Sequence, residues 1–201
     1  SKEMEHDACG VGLIASTEGK KSRAIVEYGI EALKAVWHRG AVDADGKTGD
    51  GAGIHVEIPK DFFIEKIEVT GHDYDNSEIC VGMIFLPRND YSAQENCKTI
   101  VESELTKNNF SIYGWRQVPV NPKVLGEKAF QTMPEIIQVL FKSNDPNLLD
   151  KNLERKIYET RKRIENKAFE SSLNNFYICS ISSKSIIYKG LYLAEAISDF
   201  Y

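Results

Sequence analysis

The sequence lacks several features that would assign it to a familiar class at once. Its four cysteines form no C-x-x-C pair, so their spacing supports neither a disulfide scaffold nor a cysteine zinc site. No apolar run approaches the length of a membrane span, and the first twenty residues lack a signal-peptide pattern. The net charge of −5 provides no basic field for nucleic acid or an anionic membrane. We therefore expect a cytoplasmic protein that binds neither nucleic acid nor a membrane.

The 201 residues are enough for one domain with a sizeable core, and we expect a single domain. Predicted strands cluster in adjacent pairs instead of alternating with helices, which favours an α+β fold over a doubly wound sheet. Strands are predicted over residues 11–15, 54–58, 79–86, 110–118, 135–141, 176–181 and 185–191, the last two as a hairpin. Helices are predicted after Ser22 and Pro59, over residues 90–109 and within 146–168.

A lone cysteine near the amino terminus is the first candidate for chemistry. Cys9 is followed by Gly10 and Gly12 and by an apolar run, Val11–Ala15, that predicts a buried strand. If residues 1–8 are removed, Cys9 becomes the terminal residue and carries its own base. An α-amino group titrates near ~7.7–8.0, so a useful fraction is neutral at physiological pH. The alternative is a buried structural cysteine, which is the ordinary place of a free thiol.

The end of the first helix, His38-Arg39-Gly40, has two interpretations. Basic residues and a glycine are typical of a helix C-terminus, where they complement the dipole and allow a left-handed residue. Arg39 could instead direct its guanidinium at the Cys9 strand and fix the terminal residue through hydrogen bonds. The sequence alone favours the helix cap.

A loop with four glycines and three aspartates, Asp43–Gly53, follows that helix. Gly46-Lys47-Thr48 begins the glycine cluster instead of ending a six-residue loop, so the order required of a phosphate-binding loop is missing. The aspartates also lack the EF-hand pattern and its later Glu, which argues against calcium. We therefore expect a tight loop that shapes a pocket beside the first helix.

Basic residues are frequent between Arg155 and Lys167, where they could contact a polyanion. Glu154, Glu159 and Glu165 interleave with them, which is typical of a solvated helix face with local ion pairs. Nucleic-acid binding by this helix is the less favoured interpretation.

Seven segments spread along the chain form one pattern: Asp7–Ala15, His38–Ala41, Asp43–Gly53, Tyr113–Pro119, Arg161–Glu165, Phe176–Ser180 and Ile187–Leu191. Together they resemble the glutamate synthase family, large subunit, within the class II glutamine amidotransferases. The Asp43–Gly53 loop makes the resemblance specific, because other class II enzymes share only the Cys-Gly start and an Arg-Gly.

The resemblance implies an α+β Ntn-hydrolase-like fold, a four-layer αββα sandwich that is incomplete at its C-terminus here. Residues 1–8 would be a retained propeptide, Ala8–Cys9 the processing bond, and residues 9–201 the N-terminal part of the amidotransferase domain. Cys9 matches the nucleophile that attacks the side-chain amide of glutamine and forms a thioester. Arg39 matches an arginine close to that cysteine, and Gly49-Asp50-Gly51 matches a loop that lines the glutamine pocket. No metal ligand is implied.

In the family, the released ammonia passes through an internal tunnel and serves the reductive synthesis of glutamate from 2-oxoglutarate. The resemblance therefore implies FMN and an iron–sulfur cluster in the remaining synthase domains and no cofactor in this chain. The implied partners are glutamine, those remaining domains and a small electron-supplying subunit.

The resemblance also predicts little or no activity for this chain alone. The family domain continues past the point that matches Tyr201, with an arginine that grips the substrate carboxylate and an Asn-Gly pair for the oxyanion hole. This sequence contains no Asn-Gly dipeptide, and losing one oxyanion donor typically costs ~10²–10³ in turnover. Uncovered strand edges and apolar surface would favour self-association. Two other functions stay open: a non-catalytic binding or assembly module with Cys9 buried, and the amidotransferase domain of another class II enzyme.

Overall fold

The structure, a computed structural model of the chain, describes residues 10–36 and 42–201. Its contacts divide the described chain into two units: one comprises the residues up to Ile54 with Pro119–Thr132 and Tyr188–Tyr201, and the other comprises His55–Val118 and Met133–Ile187. The helices are α1 (Arg23–Ala35), α2 (Lys60–Val69), α3 (Tyr91–Lys107), α4 (Glu127–Thr132), α5 (Asp150–Glu170) and α6 (Ile197–Phe200). The strands are β1 (Ala52–Glu57), β2 (Cys80–Leu86), β3 (Phe110–Gln117), β4 (Glu135–Ser143), β5 (Tyr177–Ser182) and β6 (Ser185–Gly190).

A four-stranded antiparallel sheet in the order β3-β4-β2-β5 forms the centre of the second unit. Its strand β2 is apolar without alternation, and such a run predicts a strand covered on both faces. The structure confirms this prediction, because six of the seven β2 residues are buried. Antiparallel pairs between β2 and both β4 and β5 make β2 a central strand.

Helices α3 and α5 pack with this sheet around one apolar core. Apolar residues recur along α5 at helical spacing, and Leu153, Ile157 and Ile164 are fully buried. The helix α3 begins at a capped end, where the Asp90 carboxylate accepts a hydrogen bond of 2.9 Å from the Ala93 N–H. Both helices therefore lie close to where their sequences predict them.

Each of the two outer strands of this sheet, β3 and β5, departs from a plain, uninterrupted edge at one point. The β3–β4 register shifts between Ile112 and Gly114, so Tyr113 forms a β-bulge. The Tyr113 hydroxyl donates to Asp75 Oδ1 over 3.0 Å, and Lys142 pairs with the same carboxylate. On β5, the Arg161 guanidinium donates to the Ile178 carbonyl oxygen over 2.8 Å.

The first unit holds α1, the glycine- and aspartate-rich loop, α4 and the segment that ends at Tyr201. The helix α1 starts after Ser22 as predicted, although the Ser22 side chain makes no capping hydrogen bond. The last residues are held by two hydrogen bonds: Tyr201 Oη donates to the Lys189 carbonyl over 2.8 Å, and the Asn121 N–H donates to the Phe200 carbonyl over 2.9 Å.

The strand predicted over Val11–Ala15 is wrong. Residues 10–15 form no strand, and Val11 and Leu13 are 97% and 89% exposed. A strand needs a neighbour that accepts its ladder hydrogen bonds, and none of the described strands pairs with this segment. The apolar pattern predicted a strand but carried no information about a partner for it.

The hairpin predicted for the last two strands is also wrong. The strand β5 belongs to the four-stranded sheet, whereas β6 pairs with β1 in a separate two-stranded sheet. The turn between them is fixed by Glu154, which accepts hydrogen bonds from the Ser182 hydroxyl at 2.9 Å and the Ser183 N–H at 2.7 Å. These bonds replace the cross-strand pairing that closes an ordinary hairpin. The mixture of helices with two sheets still agrees with the expected α+β class.

A buried carboxylate between α3 and α5 makes the stability of the second unit depend on pH. Lys167 donates to Glu104, whose side chain is 5% exposed, and Lys107 Nζ lies 3.4 Å from the same oxygen. The hydrogen bond from Lys167 holds the pKa of Glu104 below its ordinary value of 4.5. A carboxyl group with a depressed pKa stabilises the fold above its unfolded pKa, and this stabilisation is lost as the pH falls through its folded pKa.

We expect Glu104→Gln to lower the free energy of unfolding at neutral pH, and the difference from wild type to shrink as the pH falls below 4.5. Urea unfolding at several pH values measures this difference in the free energy of unfolding. Glu95→Gln on the same helix is the control, because the Glu95 side chain is 71% exposed. A wild-type–mutant difference that stays constant across this pH range would contradict the assignment.

Candidate active site

The structure describes only part of the predicted site. Gly49, Asp50 and Gly51 lie within the described residues, whereas Ala8, Cys9 and Arg39 lie outside them. The predicted roles of those three therefore stay predictions, and the geometry of the site begins with the loop.

A short closed turn ends at Gly49, and Asp50 and Gly51 connect it to the start of β1. Val42 and Gly49 form an isolated antiparallel bridge, and the Asp43 N–H donates to the Thr48 carbonyl over 2.8 Å. Because Gly49 closes the turn, Asp50 and Gly51 follow it directly into the strand at Ala52. The prediction of a tight loop is confirmed.

Asp45 holds the turn together from inside. Its carboxylate accepts hydrogen bonds from the Thr48 hydroxyl at 2.6 Å, the Thr48 N–H at 2.7 Å and the Lys47 N–H at 2.9 Å. These donors, the Thr48 hydroxyl first, hold the pKa of Asp45 far below its ordinary value. Thr48 is buried as a result. Asp45 is thus an ionised structural residue of the loop.

Asp43 is engaged from outside the turn. Lys128 Nζ, on α4, lies 2.7 Å from Asp43 Oδ2, and the Ala44 N–H donates to Asp43 Oδ1 over 2.7 Å. The hydrogen bond from Lys128 lowers the pKa of Asp43. Asp50 follows the turn and is exposed. The three aspartates, which look alike in the sequence, therefore have different surroundings in the fold.

The segment after the turn lies against the end of β6 and the residues that follow it. A Cβ added at Gly49 would stand 3.0 Å from Leu193 Cδ2 and 3.1 Å from the Tyr192 carbonyl oxygen. Gly51 has a φ of +119°, a backbone conformation that residues with a side chain rarely adopt. Glycine therefore suits both positions, Gly51 for its backbone conformation and Gly49 because a side chain would crowd Tyr192 and Leu193.

Sequence reasoning missed two residues that contact the loop, Gly126 and Lys128. A Cβ added at Gly126 would stand 2.2 Å from Asp45 Oδ2 and 2.3 Å from Thr48 Oγ1. Lys128 is separated from Asp43 by 85 positions in the chain. No local spacing relates such distant residues, so only the folded chain reveals the contact.

The described residues do not form a metal centre. Over residues 10–36 and 42–201, no group of three or more His, Cys, Asp or Glu side chains could hold a metal ion. The cysteines Cys80, Cys97 and Cys179 lie buried in the second unit. In the same ranges, no helix has the length and apolar character needed to cross a membrane.

Comparison with known proteins assigns the chain to a family. A sequence model of "Glutamine amidotransferases class-II" matches residues 9–201. The NADPH glutamate synthase large chain of Azospirillum brasilense is 54% identical over 199 residues, which cover 99% of this chain and 13% of that protein. Ferredoxin-dependent glutamate synthase 1 of Arabidopsis thaliana is 40% identical over 199 residues, covering 98% of this chain and 12% of that protein.

The ferredoxin-dependent glutamate synthase of Pyropia yezoensis is 38% identical over 205 residues, covering 100% of this chain and 13% of that protein. The chain thus spans about an eighth of the length of these relatives. The family match extends from the predicted nucleophile to the last residue and includes the whole aspartate–glycine loop. The chain belongs to the class II glutamine amidotransferases.

Proposed function

We propose that this chain is the glutaminase part of a longer glutamate synthase polypeptide, in which it hydrolyses glutamine to glutamate and ammonia. One observation carries the proposal: the family match begins at Cys9, the residue that the sequence predicts as the nucleophile. The names of the relatives support glutamate synthase over other class II enzymes, since all three are glutamate synthases.

The proposed reaction uses Cys9 as both nucleophile and source of its base. After cleavage of the Ala8–Cys9 bond, the neutral α-amino group takes the thiol proton, and the sulfur attacks the amide carbon of glutamine. The tetrahedral intermediate collapses to a thioester as the proton passes to the leaving ammonia. Water then attacks the thioester, which releases glutamate and returns the thiol. The balance is one glutamine and one water to one glutamate and one ammonia.

In this proposal, the Gly49-Asp50-Gly51 segment lines the glutamine pocket and Arg39 orients the terminal cysteine. Glycines at Gly49 and Gly51 allow the backbone to pass close to Tyr192 and Gly190 without displacing the loop. The exposed carboxylate of Asp50 suits the α-ammonium group of an amino acid substrate.

The rest of the polypeptide would use the ammonia to make glutamate from 2-oxoglutarate, with FMN, an iron–sulfur cluster and a small electron-supplying subunit. The relatives include both an NADPH glutamate synthase and a ferredoxin-dependent glutamate synthase. Self-association stays a prediction, and the exposed Val11 and Leu13 side chains support it. A cytoplasmic location likewise stays a prediction from the sequence.

Selective alkylation of Cys9 tests the proposal. Burial raises the pKa of Cys97 to about 11 and that of Cys80 further still, so only roughly 3 in 10⁴ Cys97 thiols would ionise at pH 7.5. Cys179 is also buried. We expect iodoacetamide to alkylate Cys9 at least about a hundredfold faster than these three, as read by peptide mass spectrometry.

Two further results distinguish the enzyme from the binding-module alternative. In the longer polypeptide, saturating glutamine should slow alkylation of Cys9, whereas D-glutamine should not. The intact mass of the mature protein should correspond to a terminus at Cys9. A terminus upstream of Cys9 together with an unreactive thiol would favour a binding or assembly module.

A further inference from the structure

We infer that Gly126 and Lys128 are positioning residues that hold the Gly49-Asp50-Gly51 segment in place for glutamine. This inference rests on the proposed function, in which that segment lines the substrate pocket. Both residues belong to the stretch Pro119–Thr132, which lies in the same unit as the loop.

Gly126 forms the surface against which the turn packs. The Thr48 hydroxyl donates to Asp45 Oδ2 over 2.6 Å, and both oxygens face Gly126. An added Cβ would stand 2.2 Å from the carboxylate oxygen and 2.3 Å from the hydroxyl oxygen. Real Cβ contacts essentially never fall below 3.0 Å. The pair of oxygens can therefore keep its place only if residue 126 has no side chain.

Lys128 holds the turn at a second point. Its ammonium nitrogen lies 2.7 Å from Asp43 Oδ2, at the opposite end of the turn from Thr48. Its backbone N–H also favours the charged form of Asp45. Two carboxylates of the turn, those of Asp43 and Asp45, thus contact the same short stretch of chain.

The position of the turn directly determines the position of the Gly49-Asp50-Gly51 segment. Gly49 is the bridge partner of Val42 and is also the first residue of the segment. The Asp43 N–H donates a hydrogen bond to the carbonyl oxygen of Thr48, the residue immediately before Gly49. A displacement of Asp45 and Thr48 away from residue 126 therefore moves Gly49 and Asp50 with them.

These contacts determine the position of the turn more than they contribute to the stability of the fold. The turn is already closed by its own hydrogen bonds from the Lys47 and Thr48 N–H groups. The Lys128 side chain is 74% exposed, and exposed ion pairs contribute little to folding. What Gly126 and Lys128 add is a fixed location of the closed turn relative to its own unit.

We expect Gly126→Ala to raise the KM for glutamine roughly ten- to hundredfold in the longer polypeptide. The added Cβ must push the two oxygens away by on the order of 1 Å, and misplacement by about 1 Å of groups that contact substrate has effects of up to ~10². The Cys9 thiol is not part of this turn, so kcat should fall less than KM rises, and the alkylation rate of Cys9 by iodoacetamide should be unchanged.

Gly29→Ala is the matched control. It makes the same change in the same unit, but its Cβ would meet only Ile54 Cδ1 at an ordinary 3.4 Å. It should leave KM at the wild-type value. For the second contact, Lys128→Ala should raise KM by a few fold, Lys128→Glu by more because it repels Asp43, and Lys128→Arg should restore it. A purely structural role would change thermal unfolding without this rescue pattern.

Hydrogen–deuterium exchange of the 201-residue chain follows the turn independently of activity. Amides of residues 43–49 should exchange faster in Gly126→Ala than in wild type or Gly29→Ala, with other segments unchanged. If the wild-type enzyme shows no Cys9-dependent glutamine hydrolysis, the proposed function fails, and exchange still tests the contact. A wild-type KM in Gly126→Ala and Lys128→Glu, both folded, would overturn the inference itself.

Discussion

Cys9→Ser should reduce glutamine hydrolysis by the longer polypeptide at least about 10³-fold, because a serine hydroxyl is a far weaker nucleophile than a thiol next to a neutral amine. The substitution replaces sulfur by oxygen and leaves the rest of the side chain unchanged. A loss of this size therefore reports chemistry and not packing. Ammonia release measured with a coupled glutamate dehydrogenase assay gives the rate.

Cys179→Ser is the control for this experiment. Cys179 Sγ lies 3.5 Å from the Ile187 carbonyl oxygen as a weak donor, and a serine hydroxyl can donate to the same acceptor. Its activity should stay close to that of wild type. If the Cys9→Ser enzyme keeps a tenth of the wild-type rate, Cys9 is not the nucleophile of the reaction.

Phe141→Ala should destabilise the second unit by about 3–5 kcal/mol, the cost of an emptied aromatic site in a core. Phe141 is fully buried on β4 and lies opposite Cys80 on β2 and Ile112 on β3. Its ring meets that of Phe110 edge to face, with centroids 5.3 Å apart. Removing it therefore opens a cavity within a sheet that is paired on both sides, where the backbone cannot readily collapse.

Urea unfolding followed by tryptophan fluorescence measures this loss. The chain has two tryptophans, so a Trp37→Phe background leaves Trp115, on β3, as the reporter of the second unit. Phe169→Ala is the control, because Phe169 is 81% exposed on α5. It should shift the midpoint little. Equal midpoints for both variants would mean that the core does not depend on Phe141.

The sequence predicted the second unit well because its segments differ strongly in pattern. A continuous apolar run indicated the central strand β2, and apolar residues at helical spacing indicated α5. The predictions failed where a strand depended on which other strand pairs with it. The apolar Val11–Ala15 run has no strand beside it in the described part of the chain, and β6 pairs with β1 instead of β5. Periodicity describes one segment and carries no information about its neighbour.

The candidate site was predictable to the extent that it is local. The glycines and aspartates of the loop are adjacent in sequence, so their composition alone indicated a tight turn near a pocket. The structural role of Asp45 was not predictable, because it depends on the Lys47 and Thr48 donors that the fold brings to its carboxylate. Gly126 and Lys128 were invisible for the same reason: a distant glycine has significance only when another segment packs against it.

The bulge on β3 and the Arg161 contact on β5 also affect how readily copies of this chain could join through the four-stranded sheet. A strand from another molecule can extend a sheet only through regular, unobstructed backbone groups at its edge. On β3 the bulge at Tyr113 breaks that regularity, and on β5 the Ile178 carbonyl already accepts from Arg161. Edge-to-edge growth into an open-ended fibril is therefore disfavoured.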